Sequence, residues 1–330
     1  MQEKQIKEEI IRIGRLLWDK GLVTGFNGNI SARLDAGAFL ITATGTCLGY
    51  LAPKDILLMN AAGEVVGEGT ASTERLMHTE IYKNFPQAKA VVHTHPTYTN
   101  GFFLANANFI PKTFEAKFYL GEVKSIEQTT PSVTDVAPLV KELKANNIVI
   151  LRNHGVVAIG PDLFNAFVLI QELEEQVKMD LVSVHYGVAK STTAYAAPKA
   201  SIETGKKYKL FSKEQIEEIV RLVNNDKQMQ ELGSKTAMNM DLAVCLQETG
   251  DVYSFKFRDG RITETGNDTG AEFLITADEP IWRAVFNREI DPFVATTQKK
   301  MSLRGDFARI SKWYAPCSRI FQLWAQVPVE

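Results

Sequence analysis

The sequence predicts an α/β domain, a mixed β-sheet flanked by helices, followed by a second, smaller α+β domain. Three observations carry this. The chain has 330 residues, more than one ordinary domain holds. Residues 1 to about 185 alternate short apolar runs with helix-period segments, the pattern of a layered α/β fold. Composition then shifts over 187–210, where GVAKSTTAYAAPKASIETGKKYKL is poor in large aliphatics and rich in Ala, Ser, Thr and Lys. The expected division is 1–200 for the first domain, 201–210 for a linker and 211–330 for the second domain.

The elements follow in order. The opening MQEKQIKEEIIRIGRLLWDKGL is helical in period, with Ile6, Ile10, Ile13 and Leu17 on one face. GFNGNISARL is a Gly/Asn turn leading into a strand, and AFLITATG is a strand ending in a glycine turn. STERLMHTEIYKNFP reads as a helix that Ser72 or Thr73 can cap, with Leu76 and Ile81 on its apolar face. AVVHTHP is a strand stopped by Pro96, which has no N–H for the ladder. VAPLVKELKANN is a helix, NIVILRNHGVVAIG a strand–turn–strand, and PDLFNAFVLIQELEEQVKMDLVSVHYG a long helix with Pro161 at its start. In the second domain FSKEQIEEIVRLVNN is a helix. LAVCLQETGDVYSFKFRDGRITETG is a strand pair turning at Asp259-Gly260. AEFLITADEPIWRAVFNRE is a strand then a helix, and KKMSLRGDFARISKWY repeats that order.

Composition narrows the function. A hydrophobic share of 45% with 23% charged residues is ordinary for a soluble globular protein. The net charge of −2 provides no basic field, so nucleic acid is not an expected partner. The charged opening helix has no apolar h-region and is not read as a signal peptide, and no stretch is long and apolar enough to span a membrane. Cys47, Cys245 and Cys317 are scattered and odd in number, neither a disulfide framework nor a CxxC metal knot. The cytoplasm is the expected compartment.

The stretch VVHTHPTY places His93 and His95 two apart at a strand end, where residues i and i+2 face the same way. Such a pair suits a metal; by itself it equally suits a half-buried strand whose histidines bond nearby carbonyls. His154, in RNHGVVAIG, offers a third imidazole, and Gly155 after it permits a tight backbone turn. Glu74, at the start of the helix before HTH, offers a carboxylate. Three neutral imidazoles and a carboxylate form a good N/O set for zinc or another divalent first-row metal. GFNGNIS and TATGT are turns rich in N–H groups and hydroxyls, and TASTE sits at a helix N-terminus. All three suit a phosphate.

GNIS, TATG, STE, HTHP and NHG occur in the order and at the spacing of the class II aldolase/adducin family, which residues 1 to about 190 resemble. The resemblance implies a zinc site at His93, His95 and His154, with Glu74 as both ligand and proton carrier. It implies a phosphate cradle at Asn29, Thr44, Gly45, Ser72 and Thr73, with Asn27 and Gly28 of the same turn as further candidates. Family members often use a tyrosine, sometimes from a neighbouring subunit, at the aldehyde end; Tyr119 lies in the matching region, though not at a clearly matching position. The implied activity is retro-aldol cleavage of a phosphorylated ketose, L-fuculose-1-phosphate-like, through a metal-stabilised enediolate. One Zn2+ per subunit is expected, with Mn2+ or Co2+ as substitutes, in a homo-oligomer of tetramer type. Epimerase or dehydratase action on a related phosphosugar, and a non-catalytic adducin-like or lipid-binding role, are the alternatives.

Other residues have plainer readings. His78 is read as a helix-face histidine bonded to a neighbour, His185 as exposed near a helix end, and Cys47 as a small buried side chain. Glu172, Glu174 and Glu175 are read as a solvated helix face with subunit contacts, and Phe26 as packed near the mouth of the site. Residues 211–330 resemble the sterol-carrier-protein type-two domain, with RGD at 304–306 matching its Gly-Asp motif before the last helix. That resemblance implies an apolar ligand; the alternative is a packing or oligomerisation domain with a filled core.

Overall fold

The computed structural model describes residues 3–34, 37–128, 130, 132–187, 207–306, 310 and 312–330. Backbone contacts divide the chain into two compact units, Met1–Thr192 and Thr193–Glu330. Residues 201–206 of the expected linker lie outside the described residues.

The first unit is built on one nine-stranded sheet in the order β4-β3-β2-β1-β5-β9-β8-β7-β6. Its strands are β1 (Asn29–Arg33), β2 (Phe39–Thr42), β3 (Ile56–Met59), β4 (Val65–Val66), β5 (Ala90–Thr94), β6 (Asn108–Phe109), β7 (Val123–Ile126), β8 (Ile148–Leu151) and β9 (Gly155–Gly160). β7 and β8 pair in parallel, whereas β1, β5, β9 and β8 pair successively antiparallel. The helices are α1 (Glu3–Asp19), α2 (Arg75–Asn84), α3 (Thr97–Ala105), α4 (Phe114–Leu120), α5 (Ala137–Ala145) and α6 (Leu163–His185). The strands alternate between two cores, as their period of two requires. Ile30, Val92, Ile150 and Val156 pack with α1, α4 and α6. Val91, Val149, Leu151 and Val157 pack with α2 and α5 on the other face. Both faces are covered, which explains the continuous apolar runs in the central strands.

Two details of α2 differ from expectation. The helix begins at Arg75, and neither Ser72 nor Thr73 caps it; Ser72 Oγ instead accepts the Glu74 N–H at 3.3 Å. Leu76 is exposed because the buried face runs through Met77, His78, Ile81 and Tyr82. Those residues repeat at i and i+4, and Leu76 lies one step off that stripe. Pro161 precedes α6 but does not begin it: Asp162 is the cap, accepting the Asn165 N–H at 2.8 Å.

The second unit holds α7 (Lys213–Asn225), α8 (Lys227–Lys235), β10 (Asn239–Leu246), β11 (Val252–Arg258), β12 (Arg261–Gly266), β13 (Phe273–Ala277), α9 (Glu279–Phe286), α10 (Pro292–Thr297), β14 (Ser302–Arg304) and α11 (Tyr314–Trp324). Its sheet order is β12-β11-β10-β13-β14. The expected strand pair is in fact three antiparallel strands, because two turns interrupt the run. The second turn is Asp259-Gly260, with φ of 48° and 81°, the positive pair a tight hairpin requires. Helix α8 was not legible, as QMQELGSK carries Gly233; that glycine lies where a Cβ would strike Gly260 of the hairpin. Aromatic rings fill this core: Phe286 stacks on Trp324 at 5.7 Å, and Phe211 meets Trp282 edge-on at 5.3 Å.

Candidate functional site

The antiparallel order brings four strand ends together at one edge of the first sheet. Asn29 opens β1 directly opposite His93 near the end of β5. Beside β1, β2 runs out into Ala43-Thr44-Gly45, and beside β5, β9 begins at Gly155, just after the turn that carries His154. Residues some sixty positions apart thus become neighbours without any long loop. Two glycines make the approach possible. A Cβ on Gly28 would lie 2.8 Å from the His93 carbonyl oxygen. A Cβ on Gly155 would overlap the Thr94 carbonyl oxygen and come within 2.9 Å of His93 Cε1.

The three imidazoles converge through their Nε2 atoms. His93 Nε2 lies 3.0 Å from His95 Nε2 and 3.3 Å from His154 Nε2. His93 Nδ1 donates to the Val156 carbonyl at 2.9 Å, which leaves its Nε2 as a lone pair. Two neighbouring Nε2 atoms face that lone pair, and it can accept one proton at most. A cation among the three satisfies all of them, so these residues fit a divalent metal. Their ligand atoms lie within 4.8 Å of one another. Among the described residues His154 Nδ1 is buried without a hydrogen-bond partner, so none of them fixes its tautomer.

Electrostatics favour the neutral, ligating form. Burial and the neighbouring imidazoles hold His93 well below the usual histidine range; burial and His154 bring His95 to about 4; burial lowers His154. Glu74 is buried ahead of α2 with Oε1 3.9 Å from His154 Nε2, and Oε2 accepts the Val133 N–H at 3.0 Å. Burial raises its carboxyl, and the Val133 hydrogen bond partly offsets this. Glu74 therefore stands next to the three-histidine group, with the proton affinity of its carboxyl raised by burial.

A cavity of about 630 Å³ opens over this group. Its wall includes every residue expected from the sequence except Tyr119: Asn27, Gly28, Asn29, Thr44, Gly45, Ser72, Thr73, Glu74 and the three histidines. Tyr119 lies on α4, which packs in the α1/α6 core, on the opposite sheet face from α2 and Glu74. Phe26 does not pack: it is 74% exposed at the cavity's wall, carried out on a loop between Gly25 and Gly28 that both have positive φ. Thr46, the last residue of the TATGT turn, lines the wall too, as do Gln128, Thr130 and Asn153, which the sequence did not single out. Asn153 belongs to the NHG turn and has a left-handed φ of 61°, which asparagine tolerates; Gln128 and Thr130 carried no local signal.

Three plainer expectations also change. Glu174 is not solvated: it is 2% exposed and accepts the Thr99 N–H and hydroxyl, both at 2.8 Å, and the Tyr98 N–H at 3.2 Å, closing the N-terminus of α3. Cys47 is half-buried rather than buried. His78 is bonded to neighbours as expected, but from inside the core rather than on an outer face. His185 is exposed at the end of α6, as expected.

Known proteins resemble the first unit. An L-fuculose phosphate aldolase of Methanococcus vannielii is 32% identical over 54% of this chain and 97% of its own. A 3-oxo-tetronate 4-phosphate decarboxylase of Escherichia coli is 36% identical over 54% of this chain and 86% of its own. The crystal structure of L-fuculose-1-phosphate aldolase from Thermus thermophilus superposes with a TM-score of 0.52 at 30% identity, over 57% of this chain and 98% of that one. A solved sterol carrier protein 2 matches 36% of this chain and 99% of its own at 17% identity, with a TM-score of 0.34 too low to carry an argument. Residues 8–181 match the model of the class II aldolase and adducin N-terminal domain, and the chain belongs to that family.

Proposed function

We propose that the protein is a metal-dependent carbon–carbon lyase that cleaves a phosphorylated ketose in the retro-aldol sense, the reaction class its aldolase relatives are named for. The observation that carries this reading is the convergence of three Nε2 atoms beside a carboxyl of raised proton affinity. A divalent cation, with zinc the first choice and manganese or cobalt as substitutes, would serve as a Lewis acid toward the substrate's carbonyl and hydroxyl oxygens. Asn29, Thr44, Gly45, Ser72 and Thr73 supply neutral donors that anchor the phosphate and fix the reacting carbons relative to the histidines. Glu74 returns a proton to the carbon left negative when the bond breaks.

One observation favours a second reading. Retro-aldol cleavage needs a base for the hydroxyl that becomes the aldehyde as well as an acid for the carbon left negative, and among the described residues lining the cavity Glu74 is the one such group outside the three histidines. Loss of carbon dioxide from a phosphorylated keto acid needs no such base, and a decarboxylase is among the relatives. For the second unit, the ring-filled core supports a packing role over an apolar-ligand site. Exposed Met179, Leu181 and Val182 along α6 support the homo-oligomer expectation.

The test begins with elemental analysis of the purified chain and of His95→Ala. About one metal ion per chain, lost in the variant together with activity, supports the site. Ketose phosphates and phosphorylated keto acids are then offered, with aldehyde and carbon dioxide measured separately. Full activity after exhaustive chelation would overturn the proposal.

A further inference from the structure

Behind the cavity wall four side chains form one buried hydrogen-bonded line. Asn29 Oδ1 lies 2.6 Å from His78 Nε2, His78 Nδ1 lies 2.6 Å from Ser31 Oγ, and Ser31 Oγ lies 2.8 Å from the Tyr82 hydroxyl. His78 and Ser31 have no exposure, and Tyr82 and Asn29 retain 5% and 6%. Of the four, Asn29 alone lines the cavity.

Such a line has two proton arrangements in which every bond runs one way; a mixed one, with Tyr82 and His78 both donating to Ser31, leaves the Ser31 O–H without an acceptor among the described residues. In the first, the Tyr82 phenol donates to Ser31, Ser31 donates to His78 Nδ1, and His78 Nε2–H donates to Asn29 Oδ1. The Asn29 NH2 group then faces the cavity. In the second, every bond is reversed, and the Asn29 carbonyl oxygen faces the cavity. The phenol decides between them. Among the described residues Ser31 Oγ is the acceptor its hydroxyl reaches. The Arg33 guanidinium, over the Tyr82 ring at 4.6 Å, can only donate. The reversed line would strand a buried O–H, which the first line avoids. Burial also lowers His78 to about 3, so a doubly protonated ring does not blur the choice.

The choice matters because the cavity wall holds no lysine or arginine among the described residues, so an anion there depends on neutral donors. An amide NH2 at Asn29 attracts a phosphate oxygen, and a carbonyl repels it. We propose that His78, held as the Nε2–H tautomer by Ser31 and Tyr82, is a positioning residue that turns the Asn29 amide donor into the cavity. This rests on reading the Gly/Asn/Thr rim as a phosphate cradle.

Two measurements on the zinc-loaded full chain test it. Long-range proton–nitrogen spectra of the labelled imidazoles report the tautomer of His78, assigned by the signal missing in His78→Gln. An Nε2–H signal is expected, and an Nδ1–H signal overturns the proposal. Calorimetric titration with inorganic phosphate then compares the wild type with Ser31→Ala, which removes the hydroxyl that donates to His78 Nδ1 without touching the cavity. Phosphate binding should weaken about tenfold or more, with zinc content unchanged. Equal phosphate affinity in the two proteins overturns the proposal. If Ser31→Ala does not fold, His78→Leu removes the N–H that holds Asn29 Oδ1 and is titrated instead. A wild type that holds zinc but binds no phosphate overturns the cradle reading and the role built on it, while the tautomer spectrum still reports the direction of the line.

Discussion

Glu74 Oε1 stands 3.9 Å from His154 Nε2, while Glu74 Oε2 is tied to the Val133 N–H at 3.0 Å. One oxygen thus holds the side chain in place and the other faces the histidines. Glu74→Gln keeps the size and an acceptor for Val133 but cannot carry a proton. Turnover should fall by about 10²–10⁴-fold with the metal content retained. Steady-state rates beside elemental analysis decide; unchanged turnover would remove Glu74 from the chemistry.

Gly155→Ala places a methyl group against the Thr94 carbonyl, 2.9 Å from His93 Cε1 and 3.2 Å from His95 Cδ2. Two of the three neighbours are imidazoles of the proposed metal site, so relief of the clash must move them. The variant should lose about 1–3 kcal/mol of stability and bind zinc more weakly. Urea unfolding of the apo-protein and competition for zinc against a chromophoric chelator measure the two effects. Wild-type values for both would show that the turn has slack.

His78 links stability to pH. Its folded value is about 3 against an ordinary 6.5, because burial disfavours the charged ring. As pH falls below 6.5 the unfolded chain takes up this proton and the folded chain does not. Its contribution to stability is therefore complete above pH 6.5 and is lost between 6.5 and about 3. The slope is up to about 1.4 kcal/mol per pH unit. His78→Gln should unfold with a shallower pH dependence by that amount, read from urea midpoints at pH 7, 5.5 and ~4 on metal-free protein. Parallel slopes for the two proteins would count against a neutral buried ring.

Glu174 receives three hydrogen bonds at the head of α3, directly after His95 and Pro96. Glu174→Ala leaves the Thr99 N–H and hydroxyl buried without that acceptor. A loss of about 3 kcal/mol is expected, against a smaller loss for Glu174→Gln, which still accepts. Urea midpoints of both variants give the comparison. A Glu174→Ala variant within experimental error of the wild type would restore the picture of a solvated helix face.

Local patterns along the chain specify most of the elements and the candidate ligands. His93 and His95 share a face because a strand repeats every two residues, and Ile6, Ile10, Ile13 and Leu17 share one because a helix repeats every 3.6. Those are short-range rules, visible within a single helix or strand. The turn motifs around Asn29, Thr44 and Ser72 were legible for the same reason, as glycine and hydroxyl residues mark tight backbone locally. Long-range packing sets which of these residues touch. Glu174 and Thr99 are 75 positions apart, Ser31 and Tyr82 51, and Asn29 and His78 49. No periodicity links such pairs. Whether a glutamate is solvated or caps a buried helix, and whether a histidine faces water or a tyrosine-driven line of protons, depends on which strands become neighbours. That is set by the packing of the whole sheet, where the cost of an unpaired buried polar group selects each partner.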